Sequence, residues 1–171
     1  MTARTTAGPP ARRAVAGVAL ALAVLGSAAV PATAAAAAPA VPATTYSAGR
    51  LVTDVGLLAR VSRTSTRTTL ALDRTVVLTG AAARAAAIAR GLEPLDVFVQ
   101  NDNPRLRTFV VSPAVRVYGS QVLAGRPART PITLARLQAF VQQRPGARGP
   151  VFSLRFDRSG RVSEIAEVYL P

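Results

Sequence analysis

The sequence predicts an α+β, mainly β fold: a small barrel or an antiparallel sheet with two short helices. First, residues 68–79 alternate between apolar and polar side chains, as in a strand with one buried face. Second, further short runs rich in Val, Leu and Phe are separated by Gly, Pro, Asn and Asp. Third, two segments have a helical pattern, and few helices among many strands favour helices packed at the edge of a sheet.

The predicted order of elements is β-β-α-β-β-β-α-β-β. Two strands open the domain, at 49–62 and 68–79. An alanine-rich helix follows at 79–91 because alanine has the highest helix propensity, with Thr79 placed to cap it and Gly91 to end it. The three strands that come next are 95–100, 105–112 and 112–119.

The last third of the predicted domain begins with a loop. Residues 119–131 are rich in Gly, Pro and Arg, which predicts a mobile connection. Residues 132–144 carry apolar side chains at the spacing of an amphipathic helix, which Thr133 can cap. A final hairpin turns at 157–160 and joins two strands.

The amino terminus has the pattern of a secretory signal peptide. Arginines precede an apolar run from Ala14 to Leu25, and an alanine-rich tract with Ala-x-Ala sites follows. Because the apolar run is shorter than a membrane-spanning helix, we expect no permanent membrane anchor. The pair Arg12-Arg13 leaves ordinary and twin-arginine export both open. We therefore predict a signal peptide at 1–36, a flexible linker at 37–48 and one domain at 49–171.

The composition excludes several kinds of chemistry. The chain has no Cys and no His, which excludes disulfides, thiolate metal sites and a Ser-His-Asp arrangement. Paired carboxylates are then the remaining ordinary acid/base option. Glu164 and Glu167 lie three apart in a predicted strand and point to opposite faces, so they do not pair within it. We expect neither an enzyme nor a cofactor.

The positive charge is the most informative global property. Every one of the 21 basic residues is Arg, against 8 acids. Three arginines belong to the predicted signal peptide, so the remaining chain carries 18 arginines and a net charge of +10. Such a surplus attracts anionic cell-envelope polymers or an acidic protein. The arginines are scattered and aromatic residues are few, so we do not expect specific nucleic-acid recognition; high-GC codon bias is the compositional alternative.

One polar segment is the best candidate site. The sequence FVQNDNPRLRTFVVS places polar residues between two apolar runs, and the candidate ligand-binding residues are Asn101, Asp102, Asn103, Arg105 and Arg107. Together with Asp96, the first three offer oxygen ligands for calcium, but their spacing fits no calcium loop. A turn is favoured because Asn and Asp bond their own backbone and Pro104 fixes a turn dihedral. We therefore predict no metal.

The combination of LALDRTVVLTG with an alanine-rich helix, FVQNDNPRLRTFVVS, PITLARLQAFV and the closing SGRVSEIAEVYLP resembles a group of small uncharacterised secreted proteins of actinobacteria and other Gram-positive bacteria. The resemblance covers most of 46–171 and implies export and a compact β-rich domain. It assigns no catalytic or binding residue.

These observations favour a secreted, non-enzymatic binding module that associates with an anionic envelope polymer. Two alternatives come from other classes of protein. One is a carboxylate-dependent hydrolase or a hydrolase inhibitor, and the other is a self-assembling structural protein of the envelope.

Overall fold

The computed structural model describes residues 43–102, 105–144 and 149–170. The predicted signal peptide and the first part of the predicted linker lie outside these residues. Half of the structure is strand and 19% is helix, which confirms the mainly β class. In the described ranges, no helix combines the length and the hydropathy that crossing a bilayer requires.

Within the described residues the strands are β1 (Thr45–Ser47), β2 (Arg50–Arg63), β3 (Thr68–Arg74), β4 (Val76–Thr79), β5 (Val97–Gln100), β6 (Leu106–Gly119), β7 (Thr130–Ile132), β8 (Val151–Phe156) and β9 (Val162–Glu167). The helices in the same ranges are α1 (Gly80–Ile88), α2 (Gln121–Ala124) and α3 (Leu134–Gln143).

Five of the strands close a barrel in the order β2-β3-β6-β9-β8 and back to β2. All neighbours are antiparallel except β6 and β9, which run parallel. The strand β2 closes the barrel because its second half pairs with β3 and its first half with β8. Gly56 lies where the two pairings overlap, and a Cβ there would stand 2.1 Å from the carbonyl oxygen of Asp73. The closure therefore requires glycine at this position.

Two predicted strand boundaries are wrong. The predicted strands 105–112 and 112–119 are one strand, β6, whose register is irregular between Val111 and Arg116, where it leaves β3 and joins β9. Pro113 fits there because it cannot donate to a ladder. Conversely, the predicted strand 68–79 is two strands that belong to different sheets. The backbone N–H of Thr75 donates to Val55 between them.

The small second sheet consists of β4 and β5, with α1 between them in the chain. The alanine-rich helix is confirmed and buries Ala83 and Ala87. Thr79 occupies the capping position, but its side chain makes no capping hydrogen bond. After the helix, Gly91 adopts a positive φ of 70° and its N–H donates to Ile88, as a helix-ending glycine does.

The predicted mobile loop 119–131 contains α2 and the first two residues of β7. Its order comes from a distant carboxylate, because Glu167 accepts the backbone N–H groups of Ser120, Val122 and Leu123 at 2.7, 2.7 and 3.0 Å. Local composition does not reveal a partner this far along the chain. Similarly, Thr45–Ser47 pair with β2 as β1, so ordered structure starts inside the predicted linker.

The core lies inside the barrel. Leu70, Leu72, Phe152, Leu154 and Ile165 are almost completely buried. The predicted amphipathic helix is confirmed as α3, and it adds Leu137 and Val141 to the same core. The Thr133 side chain caps α3 by accepting the N–H of Arg136 at 3.1 Å.

The connectivity places this barrel in a known class. Counted along the chain, barrel strands one to five are β2, β3, β6, β8 and β9, the third and fifth are parallel, and α3 precedes the fourth. This is the topology of the five-stranded Greek-key barrels of the OB type. A fold of this kind serves many functions, so the function depends on the residues of the site.

Candidate functional site: an arginine-lined cleft

An open cleft of about 860 Å³ lies where β2, β3, β6 and the β8–β9 hairpin meet. Three separate segments line it, at 63–68, 108–113 and 159–161, together with Leu134 at the start of α3. We call this feature the cleft. It forms at the place where β6 turns from β3 towards β9, since Val111 has register partners on both of those strands.

The β2–β3 connection supplies two of the cleft arginines: Arg63 ends β2 and Arg67 lies in the turn before β3. Thr64 shapes this turn with its backbone and its side chain. Its N–H donates to the Arg67 carbonyl at 2.9 Å, and its hydroxyl accepts the N–H of Arg67 at 3.2 Å. Both arginines are exposed and line the cleft, so this connection contributes two positive side chains to the lining.

The β8–β9 hairpin supplies the third arginine, Arg161, and is held by Asp157. Oδ1 of Asp157 accepts the N–H of Ser159 and the N–H of Arg161, both at 2.9 Å, and the Ser159 hydroxyl at 2.7 Å. These hydrogen bonds, the Ser159 hydroxyl first, hold the pKa of Asp157 below its usual value. The predicted hairpin turn at 157–160 therefore also fixes the backbone of Arg161.

The floor of the cleft comes from β6. Phe109 is half-buried and packs edge-on against Phe156, with ring centroids 5.0 Å apart. Among the described lining residues, Phe109 is the one aromatic side chain. Its contact with Phe156 gives the cleft a firm apolar base.

The walls of the cleft are basic and rich in hydroxyl groups. Within the described chain, none of the three arginines forms an ion pair with a carboxylate, and the lining residues described include no acid. The hydroxyl groups come from seven residues: Thr64, Ser65, Thr66, Thr68, Thr108, Ser112 and Ser159. The cleft therefore offers charged donors together with groups that can both donate and accept hydrogen bonds.

The predicted site residues lie elsewhere, beside the small sheet. Asn101 donates from Nδ2 to Asp73 of β3 at 2.7 Å. Asp102 pairs with Arg90 after α1 at 2.9 Å and also accepts a hydrogen bond from Gln100. These contacts lower the pKa of Asp102; the hydrogen bond from Gln100 has the largest effect and the one from Arg90 the next largest. Each of these contacts ties the segment to another element of the fold.

The other members of the predicted site show no shared ligand geometry. Arg107 donates to the backbone carbonyl of Arg105 at 3.0 Å, and Asn103 lies outside the described residues. Asp96, the remaining calcium candidate, pairs with Arg84 at 2.6 Å. Over 43–102, 105–144 and 149–170, no three acidic side chains are placed to hold a metal ion.

Sequence reasoning missed the cleft because its parts are far apart in the chain. The available signal was the arginines that flank short Ser/Thr/Gly turns, RTSTR at 63–67 and RSGR at 158–161. Those turns are recognisable from the local sequence, but they come close together only because the barrel closes.

No protein-family model, curated protein or solved structure matches the chain.

Proposed function

We propose that this protein is a secreted, non-enzymatic binding module whose cleft takes an anionic polymer of the cell envelope. The observation that carries the proposal is the set of three exposed arginines around one cleft, without an acidic partner in the described chain. Guanidinium groups match phosphate and carboxylate oxygens with paired donors. Arg63, Arg67 and Arg161 therefore supply the attraction and the orientation.

The remaining lining groups favour a polymer with a hydroxyl-rich backbone. Several of the seven Ser and Thr hydroxyls, such as those of Ser65, Thr68 and Thr108, can pair with sugar or polyol hydroxyls beside the charged groups. The Thr64 and Ser159 hydroxyls already donate to Arg67 and Asp157. Binding of single-stranded nucleic acid by stacking needs open aromatic faces. Phe109 instead packs on Phe156. A teichoic-acid-type polymer, with alternating phosphate and polyol units, fits this combination better than a nucleic acid does.

The position of the cleft in the fold supports a binding role. In OB-type barrels, ligands lie on the face of the second and third strands and between the loops that join strands one-two and four-five. The corresponding parts here are β3, β6, the turn at 64–67 and the hairpin at 157–161. This support is an analogy of fold, and the arginines decide the chemistry.

The contacts of the acids also support binding rather than hydrolysis. A carboxylate-dependent hydrolase needs two acids facing one substrate. Asp157 holds the hairpin, Glu167 holds α2 and Asp102 pairs with Arg90. Export is supported by the signal-peptide pattern at 1–36.

The test is binding to poly(glycerol phosphate) at low salt, measured by fluorescence anisotropy. We expect the triple variant R63Q/R67Q/R161Q to bind at least about tenfold more weakly, because several charge-assisted hydrogen bonds are lost. The matched control R60Q/R105Q/R136Q removes the same charge from exposed positions outside the cleft lining. Equal losses in both variants, or no binding by the wild type, would refute the proposal. Concentration-dependent sedimentation would instead support self-assembly.

A further inference from the structure

A second group of arginines lies outside the cleft, around Glu164. On β9, Glu164 is the register partner of Arg116 on β6 and also of Arg155 on β8. Arg129, just before β7, reaches the same carboxylate. We call these four residues the Glu164 cluster, and none of them lines the cleft.

The carboxylate is covered by the guanidinium groups. The ion-pair distances to Glu164 are 3.2 Å from Nη2 of Arg116, 2.7 Å from Nη2 of Arg129 and 3.7 Å from Nε of Arg155. The Glu164 side chain is 7% exposed, whereas the three arginine side chains are 51–68% exposed. One side of each guanidinium therefore faces Glu164 and much of the rest faces solvent.

The position of Arg129 is set by two further contacts. Its guanidinium lies 3.8 Å from the centre of the Tyr118 ring, a cation–π distance. The next residue, Thr130, is the register partner of Gly119, so the β6–β7 pairing fixes the backbone beside it. Arg129 is thus held in place before any ligand arrives.

The charges in the cluster do not balance. Three guanidinium groups face one carboxylate, which leaves a local charge of +2. The other glutamate of β9, Glu167, accepts the backbone N–H groups of Ser120, Val122 and Leu123 at the start of α2. Since each guanidinium has five N–H donors and one carboxylate accepts about four hydrogen bonds, most of the donors remain available to a ligand.

We infer that the Glu164 cluster is a second anion site, which takes a phosphate group. Arg116 and Arg155 hold the phosphate oxygens from the strands on either side of β9, and Arg129, just before β7, completes the site. Glu164 acts as a positioning residue because its carboxylate keeps three mutually repelling cations together. A phosphate oxyanion carries the charge and the paired acceptors that this arrangement lacks.

The test follows the arginine Nε–H and backbone amide signals of the whole chain by NMR. Inorganic phosphate is added against chloride at constant ionic strength. We expect saturable shifts at Arg116, Arg129 and Arg155, which R63Q/R67Q/R161Q leaves intact. The absence of saturable shifts in the wild type would overturn the inference, whatever the cleft binds.

Two variants examine the mechanism. The double variant R116Q/R155Q keeps the Arg129–Glu164 pair, and we expect it to bind phosphate at least about tenfold more weakly than the wild type. The control R60Q/R136Q loses the same charge, and we expect its phosphate affinity to change little. Equal losses would show a general field effect and overturn the site. E164Q raises the local charge, yet we expect weaker phosphate binding because the arginines lose their common partner; tighter binding would overturn the role of Glu164.

The source of the phosphate is tested by repeating the titration with poly(glycerol phosphate). If inorganic phosphate saturates the site at the same concentration of phosphate groups as the polymer does, the site is one for the free ion. Saturation by the polymer at much lower phosphate concentration supports a phosphodiester site.

Discussion

The cleft and the junction between the barrel and the small sheet use charged residues in opposite ways. At the junction, Asp54 is fully buried and pairs with Arg74 through two contacts, Nε to Oδ1 at 2.6 Å and Nη2 to Oδ2 at 2.7 Å. In the cleft, Arg63 and Arg161 are exposed and form no ion pair in the described chain. Charged residues at the junction thus stabilise the fold, and those in the cleft remain free to bind.

The junction has further fixed contacts around the same pair. Oδ1 of Asp54 also accepts the Thr44 hydroxyl at 2.8 Å and the N–H of Val55 at 3.0 Å. The hydrogen bonds that Arg74 donates to Asp54 are the first cause that raises the pKa of Arg74. A buried carboxylate with this many partners tolerates little change. The comparison therefore predicts large losses of stability at the junction and small ones in the cleft.

The largest effect is expected for Gly56→Ala. The added Cβ would stand 2.1 Å from the carbonyl oxygen of Asp73, and backbone cannot move away as a flexible side chain can. We expect a loss of more than about 3 kcal/mol in the free energy of unfolding, measured by urea denaturation. The control is Gly149→Ala, where a Cβ meets nothing within 4 Å and little change is expected. Similar losses in both would show that barrel closure does not depend on Gly56.

Asp54→Asn is expected to have the next largest effect. It removes the charge that compensates Arg74, whose side chain is 25% exposed, so we expect a loss of about 3 kcal/mol, at the lower end for a broken buried pair. Asp96→Asn breaks the exposed Arg84 pair by the same change and should cost below about 1 kcal/mol. Equal losses would remove the distinction between buried and exposed pairs.

Asn101→Ala tests whether the polar segment at 101–107 holds the junction. The change removes the Asn101 Nδ2 group that donates to Asp73, a residue that is only 7% exposed. We therefore expect a loss of about 1–2 kcal/mol in the free energy of unfolding. Gln100→Ala removes an amide donor from the exposed Asp102 and should have a smaller effect. An unchanged free energy of unfolding in Asn101→Ala would indicate that Asn101 does not stabilise the fold.

The smallest effect is expected for Ser159→Ala at the edge of the cleft. The Ser159 hydroxyl is the first cause of the lowered pKa of Asp157, so its loss should raise that pKa towards its usual value. Because the folded-state pKa is depressed, the stabilisation from Asp157 is present above the unfolded-state pKa and is lost as the pH falls through the folded-state pKa. An NMR titration of the Asp157 carboxyl measures this shift.

The control for this titration is Ser163→Ala, whose hydroxyl donates to the Arg155 backbone carbonyl and not to a carboxylate. An unchanged pKa of Asp157 in Ser159→Ala would contradict the hairpin geometry.

Local patterns predicted the elements well and their assembly poorly. The alternation at Thr68–Arg74, the alanine-rich helix and the apolar spacing of α3 depend on neighbours along the chain, so they were visible in the sequence. The division of the predicted strand 68–79 between two sheets was not visible there. Barrel closure, the parallel β6–β9 pair and the Glu167 cap of α2 join residues that are far apart. No local period encodes those contacts.

The same distinction applies to the candidate site. Sequence reasoning selected 101–107 because polar residues are adjacent there, and the described contacts of Asn101 and Asp102 are with the fold itself. Arg63 and Arg161 are almost a hundred residues apart and share a cleft through strand pairing. A surface assembled from separate turns gives no clustered signal in the sequence.

The most direct test of the account is the salt dependence of binding to poly(glycerol phosphate). The logarithm of the affinity should fall linearly with the logarithm of salt concentration, with a slope that reports the number of charge contacts. We predict that R63Q/R67Q/R161Q reduces the slope by about two to three, roughly one per lost contact, while R60Q/R105Q/R136Q leaves it nearly unchanged. Equal slopes for the two triple variants would contradict a specific role for the cleft.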